Sequence, residues 1–370
     1  MPQKADIIKY TSLLVLIFQN CSLVIFMKFA MSGNRPKFLK TIPVFYGEVF
    51  KFTVSLILLA IQCRSLKKCF YQIYDQFVHH WKDAVKVLVP AAVYTIQNYL
   101  LYVAVENLPP AQYMVTYQLK IITTAIFTVT VLKRRLSAQQ WLALFVLFIG
   151  IAVVQLDQKM SDDKQKEAKL LLQTGNVSLS TTVAPQKQEN EHNQVLGFAA
   201  VLTACLLSGF AGIYFEKILK GSKVSIWLRN IQLALPSTVF ALLFAFAMDN
   251  KKIFADGYSA GAIFKNCMQG FDWAIWVTIC ISAFGGLVVA VVIKYADNIL
   301  KAFATSFAII LNCIAAYFMF NFRPTFLFLG GAIGVMAAVF VYSMFPYKKK
   351  QVEAEESVVE QQIPLADSKE

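Results

Sequence analysis

Residues 113–132 read YMVTYQLKIITTAIFTVTVL, and Lys120 is the one charged residue among them. On insertion scales an ammonium at the centre of a spanning helix costs about 2.5–3.5 kcal/mol, whereas each Leu, Ile or Val returns about 0.3–0.6 kcal/mol. The run can therefore cross a bilayer as a helix while carrying a residue that lipid disfavours. Two readings are open at this point: a lysine near a helix end that snorkels to the interface, or one that faces a polar cavity and marks a ligand path.

The rest of the chain has the same character. Its 370 residues are 57% hydrophobic and 15% charged, against about 25% charged in a soluble domain. Apolar stretches recur at 8–30, 43–63, 84–105, 110–132, 138–157, 195–217, 226–248, 272–293, 299–320 and 325–346. At about 20 residues, each is long enough to cross the hydrocarbon core as a helix. The expected fold class is thus an all-α polytopic membrane protein with ten transmembrane helices. The N-terminal run continues to about residue 30, which favours a first span over a cleaved signal peptide.

The net charge of +13 sits mostly in short loops and carries no aromatic-basic pattern for nucleic acid, so it is read as topology. One side holds Lys4, Arg64, Lys67, Lys68, Lys82, Lys86, Lys133, Arg134, Arg135, Lys220, Lys223 and Lys348 to Lys350. The short loops of the other side hold Arg35, Lys37, Lys40, Lys251, Lys252, Lys265 and Arg323. By the positive-inside rule the first side, with both termini, is cytosolic. The polar segment between the fifth and sixth spans contains Asn176-Val177-Ser178, a glycosylation sequon that needs a lumenal face, and the alternation of spans puts it there. Its composition predicts disorder. Seven cysteines without a CxxC and three histidines in loops, His79, His80 and His192, give no set of metal or haem ligands inside the membrane; no metal and no cofactor is expected.

The polar segment divides the spans five and five. An odd number per half inverts the topology of the second half, a plan common in transporters. The organisation read from this is a first five-helix repeat over 1–157, a disordered lumenal linker over 158–194, a second five-helix repeat over 195–347 and a cytosolic acidic tail over 348–370. A weak internal echo pairs FIGIAVV at 148–154 with AIGVMAAV at 332–339, setting Gly150 against Gly334.

Polar residues inside spans are the functional candidates. Tyr94, Gln97 and Asn98 share one face of the third span at i, i+3 and i+4. The fourth holds Tyr113, Tyr117, Gln118 and Lys120; the second holds Glu48 and Lys51; the seventh holds Arg229, Asn230 and Gln232; the eighth ends in Lys294, Asp297 and Asn298, and Lys301 follows. Each also has a plain structural reading. Glu48 and Lys51 can neutralise each other, Asp297 and Lys301 can form a solvated pair, and Gln97 and Asn98 can join helices. Gly285-Gly286 can allow close helix approach or a gating hinge. Taken together, lysines, amides and tyrosines suit a polyanion carrying a ring that stacks and hydrogen-bonds.

The runs YTIQNYLLYVAVENL, YQLKIITTA, LSGFAGIYFEKILK, WLRNIQL and GGLVVAVVIKYADNILKAFATS closely resemble the nucleotide-sugar transporters of solute carrier family 35, subfamily A, from the first span to the tenth. The resemblance implies two inverted five-helix repeats, residence in the Golgi membrane, and exchange of a cytosolic nucleotide sugar for a lumenal nucleoside monophosphate. It implies Lys120 and Lys294 as phosphate ligands and Tyr94, Gln97, Asn98, Tyr113 and Asn230 around the nucleoside, with Glu48, Lys51 and Lys301 left as gating residues or charge pairs. Partners implied are UDP-sugar, UMP and membrane lipid, with room for a homo-oligomer or for association with Golgi glycosyltransferases.

UDP-N-acetylglucosamine, UDP-galactose or both are the expected cargo, with CMP-sialic acid as the alternative. CMP-sialic-acid carriers, by the family pattern, present a tyrosine and a serine where this chain has Ala234 and Pro236, and Pro236 is expected to bend the seventh helix. A membrane glycosyl- or phosphotransferase needs clustered acids to hold a metal near phosphates, and Glu48, Glu106, Glu216 and Asp297 are scattered in sequence.

Overall fold

A computed structural model of the protein describes residues 2–32, 35–174, 193–220, 224–295, 298–320 and 322–345. The described residues are predominantly helical: α1 (Pro2–Met31), α2 (Thr41–Cys63), α3 (Leu66–Tyr74), a π turn (Asp75–His79), α4 (Trp81–Lys86), α5 (Leu88–Asn107), α6 (Pro110–Thr116), α7 (Leu119–Val131), α8 (Ala138–Thr174), α9 (Gln194–Lys220), α10 (Ile226–Ile253), α11 (Ala260–Cys267), α12 (Trp273–Tyr295), α13 (Asn298–Phe320) and α14 (Phe326–Met344). Among the described residues, eight helical stretches are long and apolar enough to cross a membrane. Two shorter apolar stretches, Trp273–Val288 and Phe307–Phe320, lie in α12 and α13.

Local chemistry sets the helix ends. Pro110 occupies the first position of α6, where its missing N–H costs nothing. Thr325 caps α14, its Oγ1 accepting from Phe328 N at 3.0 Å and donating to Asp157 Oδ1 of α8 at 2.6 Å. Arg64 ends α2 at φ 53°, a left-handed turn that directs α3 away from the line of α2. Pro236 lies inside α10 with helical dihedrals around it. The departure from helical geometry falls at Asp249 instead (φ −115°, ψ 19°), so the bend expected at the proline is found thirteen residues later.

The fifth span also differs from expectation. The linker was expected to be disordered from residue 158, but α8 continues to Thr174. The segment QKMSDDKQKEAKLLLQT is rich in Lys, Gln, Glu, Ala and Leu, which have high helix propensity. Low hydropathy there removes the span, not the helix. Asn176, His192 and the acidic tail lie outside the described residues.

The helices pack in recurring combinations. The most extensive contacts are α8 with α14 and α2 with α10; then α5 lies on α9 and α1 on α12, α7 lies on α9 and α1 on α13, and α5 lies on α10 and α2 on α12. Glycines permit two of these approaches. A Cβ at Gly285 of α12 would meet the Gln19 amide of α1 at 2.2 Å, and that amide donates to Ile281 O at 3.2 Å, so close approach is the role the structure gives this glycine. At the α8–α14 crossing a Cβ at Gly150 would sit 3.0 Å from Gly331 O and 2.9 Å from Val335 Cγ2, and one at Gly331 would sit 2.8 Å from Gly150 O and 2.7 Å from Val154 Cγ2.

That contact is reciprocal, with Gly150 and Val154 facing Gly331 and Val335 at the same spacing of four. The sequence echo had matched Gly150 to Gly334, whose Cβ would meet nothing within 4 Å. Short apolar strings match equally well one helical turn out of register, and only backbone contact distinguishes them. Replacing Gly331 with Leu should lower the melting temperature of the purified protein, since overpacking costs about 1–3 kcal/mol, while Gly334→Leu should leave it nearly unchanged. Equal melting of the two variants would refute this contact.

Candidate functional site

The fourth span is split just before Lys120. Tyr117 and Gln118 keep right-handed dihedrals, but Gln118 N donates to Val115 O (3.1 Å), Lys120 N to Tyr117 O (3.2 Å) and Ile121 N to Gln118 O (2.9 Å). These three-residue reaches make a tight 3₁₀ turn between α6 and α7. Such a turn inside a helix often marks a hinge or a strained functional segment.

The turn assembles an aromatic and cationic platform. Tyr113 and Tyr117 stack with ring centroids 5.6 Å apart and planes 11° from parallel. Lys120 Nζ lies 4.4 Å from the centroid of the Tyr117 ring, a distance at which the π face attracts an ammonium. Gln97 Nε2 of α5 donates to the Tyr117 hydroxyl at 3.3 Å, and Ser208 of α9 also hydrogen-bonds it. Tyr94 and Tyr117 are half-buried.

α9 holds this platform from behind. Thr123 Oγ1 donates to Cys205 O at 2.7 Å, sharing its hydrogen with Lys120 O at 3.1 Å, and Cys205 Sγ reaches Tyr117 O at 3.6 Å. One turn further along α9, a Cβ on Gly209 would fall 2.7 Å from Thr123 Oγ1 and 2.9 Å from the backbone of Thr123 and Thr124.

A second polar group joins α2 to α5. Glu48, 2% exposed, accepts from Lys51 Nζ at 2.5 Å and from Asn98 Nδ2 at 3.2 Å on the same oxygen. Glu48 and Lys51 thus form an ion pair in which Asn98 takes part. Gln97 and Asn98 share one face of α5 but serve different neighbours, α7 and α2. The Lys51 stem passes 3.5 Å from where a Gly286 Cβ would lie.

Asn230 stands on α10 with a buried Nδ2 that has no hydrogen-bond partner among the described residues; Gln97 Oε1 and Gln118 Oε1 are in the same condition. Buried amides left open in this way cost about 1–3 kcal/mol each unless a ligand or water completes them. The neighbouring Arg229 is engaged elsewhere: it pairs with Asp83 at 2.9 Å and donates to Gln232 Oε1 at 2.8 Å. Lys294 and Lys301 fall on α12 and α13, but their side chains, and all of Asp297, lie outside the described residues.

A further set of polar contacts links residues that the sequence left unconnected. Lys28 Nζ of α1 donates to Glu106 O at 2.8 Å, Lys40 pairs with the Glu106 carboxylate, and Arg35 pairs with Asp272 while its guanidinium lies 4.1 Å over the Phe29 ring. Thr41 Oγ1 donates to Asp249 Oδ2 at 2.8 Å. These contacts tie α1, α2, α5, α10 and α12 together. Lys28 is an intramembrane lysine like Lys120, so the signal that singled out one was present for the other. Among the described residues no group of three His, Cys, Asp or Glu side chains could hold a metal ion.

Residues 4–343 match the protein family described as nucleotide-sugar transporter. The UDP-N-acetylglucosamine transporter of Mus musculus is 39% identical over 343 residues, covering 92% of this chain and 96% of that protein, and that of Homo sapiens is equally similar. The UDP-galactose translocator of Mus musculus is 40% identical over 338 residues, covering 91% of this chain and 78% of that protein. A solved crystal structure covering 94% of this chain has 12% sequence identity and a TM-score of 0.45, too distant to bear on topology.

Proposed function

The chain belongs to the nucleotide-sugar transporter family, and from that premise we propose that it carries UDP-sugars, UDP-N-acetylglucosamine or UDP-galactose or both, into the Golgi lumen in exchange for UMP. Its work is binding and alternating access; it is a transporter and not an enzyme. The observation that carries the reading beyond the family is Lys120 placed over a stacked pair of tyrosines at a 3₁₀ turn inside a span. An ammonium there offers charge-assisted hydrogen bonds to a diphosphate, and the adjacent rings and open amides suit a nucleoside.

Lys120 and Lys294 are the proposed phosphate ligands, one from each half of the chain. Tyr94, Gln97, Asn98, Tyr113 and Asn230 are proposed around the nucleoside, and Glu48 with Lys51 at the edge of the same cavity. A diphosphate carries about two negative charges, which two lysines can meet with charge-assisted hydrogen bonds.

Ten spans in two inverted five-helix repeats are the proposed architecture. Its support is the packing. Matching α1, α2, α5, α6–α7 and α8 with α9, α10, α12, α13 and α14 in order turns each major contact into another major contact: α5 on α9 becomes α12 on α1, and α7 on α9 becomes α13 on α1, while α2 with α10 and α8 with α14 map onto themselves. Both termini are proposed to be cytosolic, on the loop charges. Tags at the two ends should be digested by protease in sealed Golgi vesicles, and protection of either would overturn this topology.

Cargo is tested by exchange in liposomes holding purified protein and internal UMP. Labelled UDP-sugar should enter unchanged, and UMP should inhibit uptake at least about tenfold more strongly than CMP, a difference of about 1.4 kcal/mol. Ala234, 3% exposed, and Pro236 have no hydroxyl with which to hold a cytidine nucleotide, and a polar ligand group left without its partner is strongly disfavoured. Equal inhibition by the two nucleotides would defeat the uridine assignment.

A further inference from the structure

Residues 64–86 join α2 to α5; residues 64–80 lie outside the candidate spans, and Trp81–Lys86 begin the third, Trp81–Asn107. α3 and the π turn after it pack inward through Cys69, Ile73 and Phe77 against Leu59 of α2 and Leu228 and Ile231 of α10. Away from that contact the segment leaves large apolar groups in the open: Phe70 and Tyr71 of α3 are each 68% exposed, Tyr74 57%, and Trp81 of α4 55%. Arg64, Lys67, Lys68, Lys82 and Lys86 are exposed along the same segment.

The acids of the segment do not offset these cations outward. Asp83 pairs with the buried Arg229 of α10 at 2.9 Å, and Asp75 lies 3.4 Å from the Nδ1 atoms of both His79 and His80. The outward field is therefore basic, beside aromatic rings, at the ends of two spans. Aromatic side chains reaching the acyl boundary and lysines among the headgroups are the pattern of a helix lying in a membrane interface.

We propose that residues 64–86 form an interfacial anchor that binds anionic phospholipid headgroups in the leaflet it faces, with Arg64, Lys67 and Lys68 as the principal contacts. The anchor is joined to the bundle through Arg229–Asp83 and through Gln232 Nε2 donating to Gln76 Oε1 at 3.4 Å. Lipid bound there stabilises α10 and so raises the melting temperature of the whole protein. The test needs no nucleotide, so it stands or falls apart from the transport assignment.

Full-length protein in mild detergent is titrated with phosphatidylserine, with phosphatidylcholine and with soluble glycerophosphate while its melting temperature is followed. Phosphatidylserine alone should raise it, and the R64Q/K67Q/K68Q variant should need about tenfold more of that lipid for the same shift. A K251Q/K252Q/K265Q variant, which removes three exposed cations from the last turns of α10 and α11, should respond like the wild type. The proposal is overturned by an equal response to phosphatidylcholine, by a response to glycerophosphate, by an unchanged titration of the first variant or by equal loss in the second.

Discussion

Lys120→Ala should reduce UDP-sugar exchange by at least about 100-fold, since a hydrogen bond to a charged group contributes about 1.5–3 kcal/mol and a desolvated cation facing phosphate stands at the upper end. The protein should still fold and insert. Removing an ammonium from a spanning helix lowers the insertion cost by about 2.5–3.5 kcal/mol, and the Tyr113–Tyr117 stack and the Thr123 bond to Cys205 do not depend on the lysine side chain. Lys120→Arg keeps the charge on a differently shaped head and should recover only part of the activity. The measurement is uptake per milligram of reconstituted protein, with melting temperature as the folding control. Near-normal exchange by the alanine variant would remove Lys120 from the site.

A second large effect is expected from a residue that touches no ligand. Gly209→Val should lower exchange about 100-fold, because displacing a binding group by about 1 Å can cost that much. The added Cβ would meet the backbone of Thr123 and Thr124 at 2.9 Å, and backbone cannot turn aside as a side chain can. α7 must shift, carrying Lys120 with it. Gly212→Val on the same helix, where a Cβ would meet nothing within 4 Å, serves as the control and should transport normally. If both variants transport equally, the α7–α9 contact does not position the lysine.

The eight long spans among the described residues were legible because each is an apolar run of the right length, a property of consecutive residues. The 3₁₀ turn at Tyr117 and Gln118 was not: neither residue breaks a helix, and the turn depends on Gln97, Ser208 and Cys205 from two other helices. The membrane-edge helix α3 was hidden differently, since LKKCFYQIY reads as a basic loop until its inward and outward faces are separated. Continuation of α8 to Thr174 was missed because composition reports whether a segment can bury a core, and a polar helix needs none. Ion pairs such as Arg35–Asp272, 237 residues apart, leave no trace in local pattern. The polar residues of the candidate site, by contrast, were conspicuous because lipid makes each of them expensive.

The glycine crossing of α8 and α14 bears on how a carrier can be tuned. Under the proposed two-fold, that contact is its own image, so it has the same geometry whether the cavity faces one side or the other. Contacts such as α5 on α9 exchange places with α1 on α12 at each reversal. Substitutions at Gly150 or Gly331 therefore change durability and leave the facing preference alone. A substitution on one member of an exchanging pair acts in the opposite way, as a thumb on a balance: about 1.4 kcal/mol of unequal strain shifts the ratio of the two facings tenfold. On that proposed architecture, directional bias is written in the contacts that trade places, and endurance in those that stay.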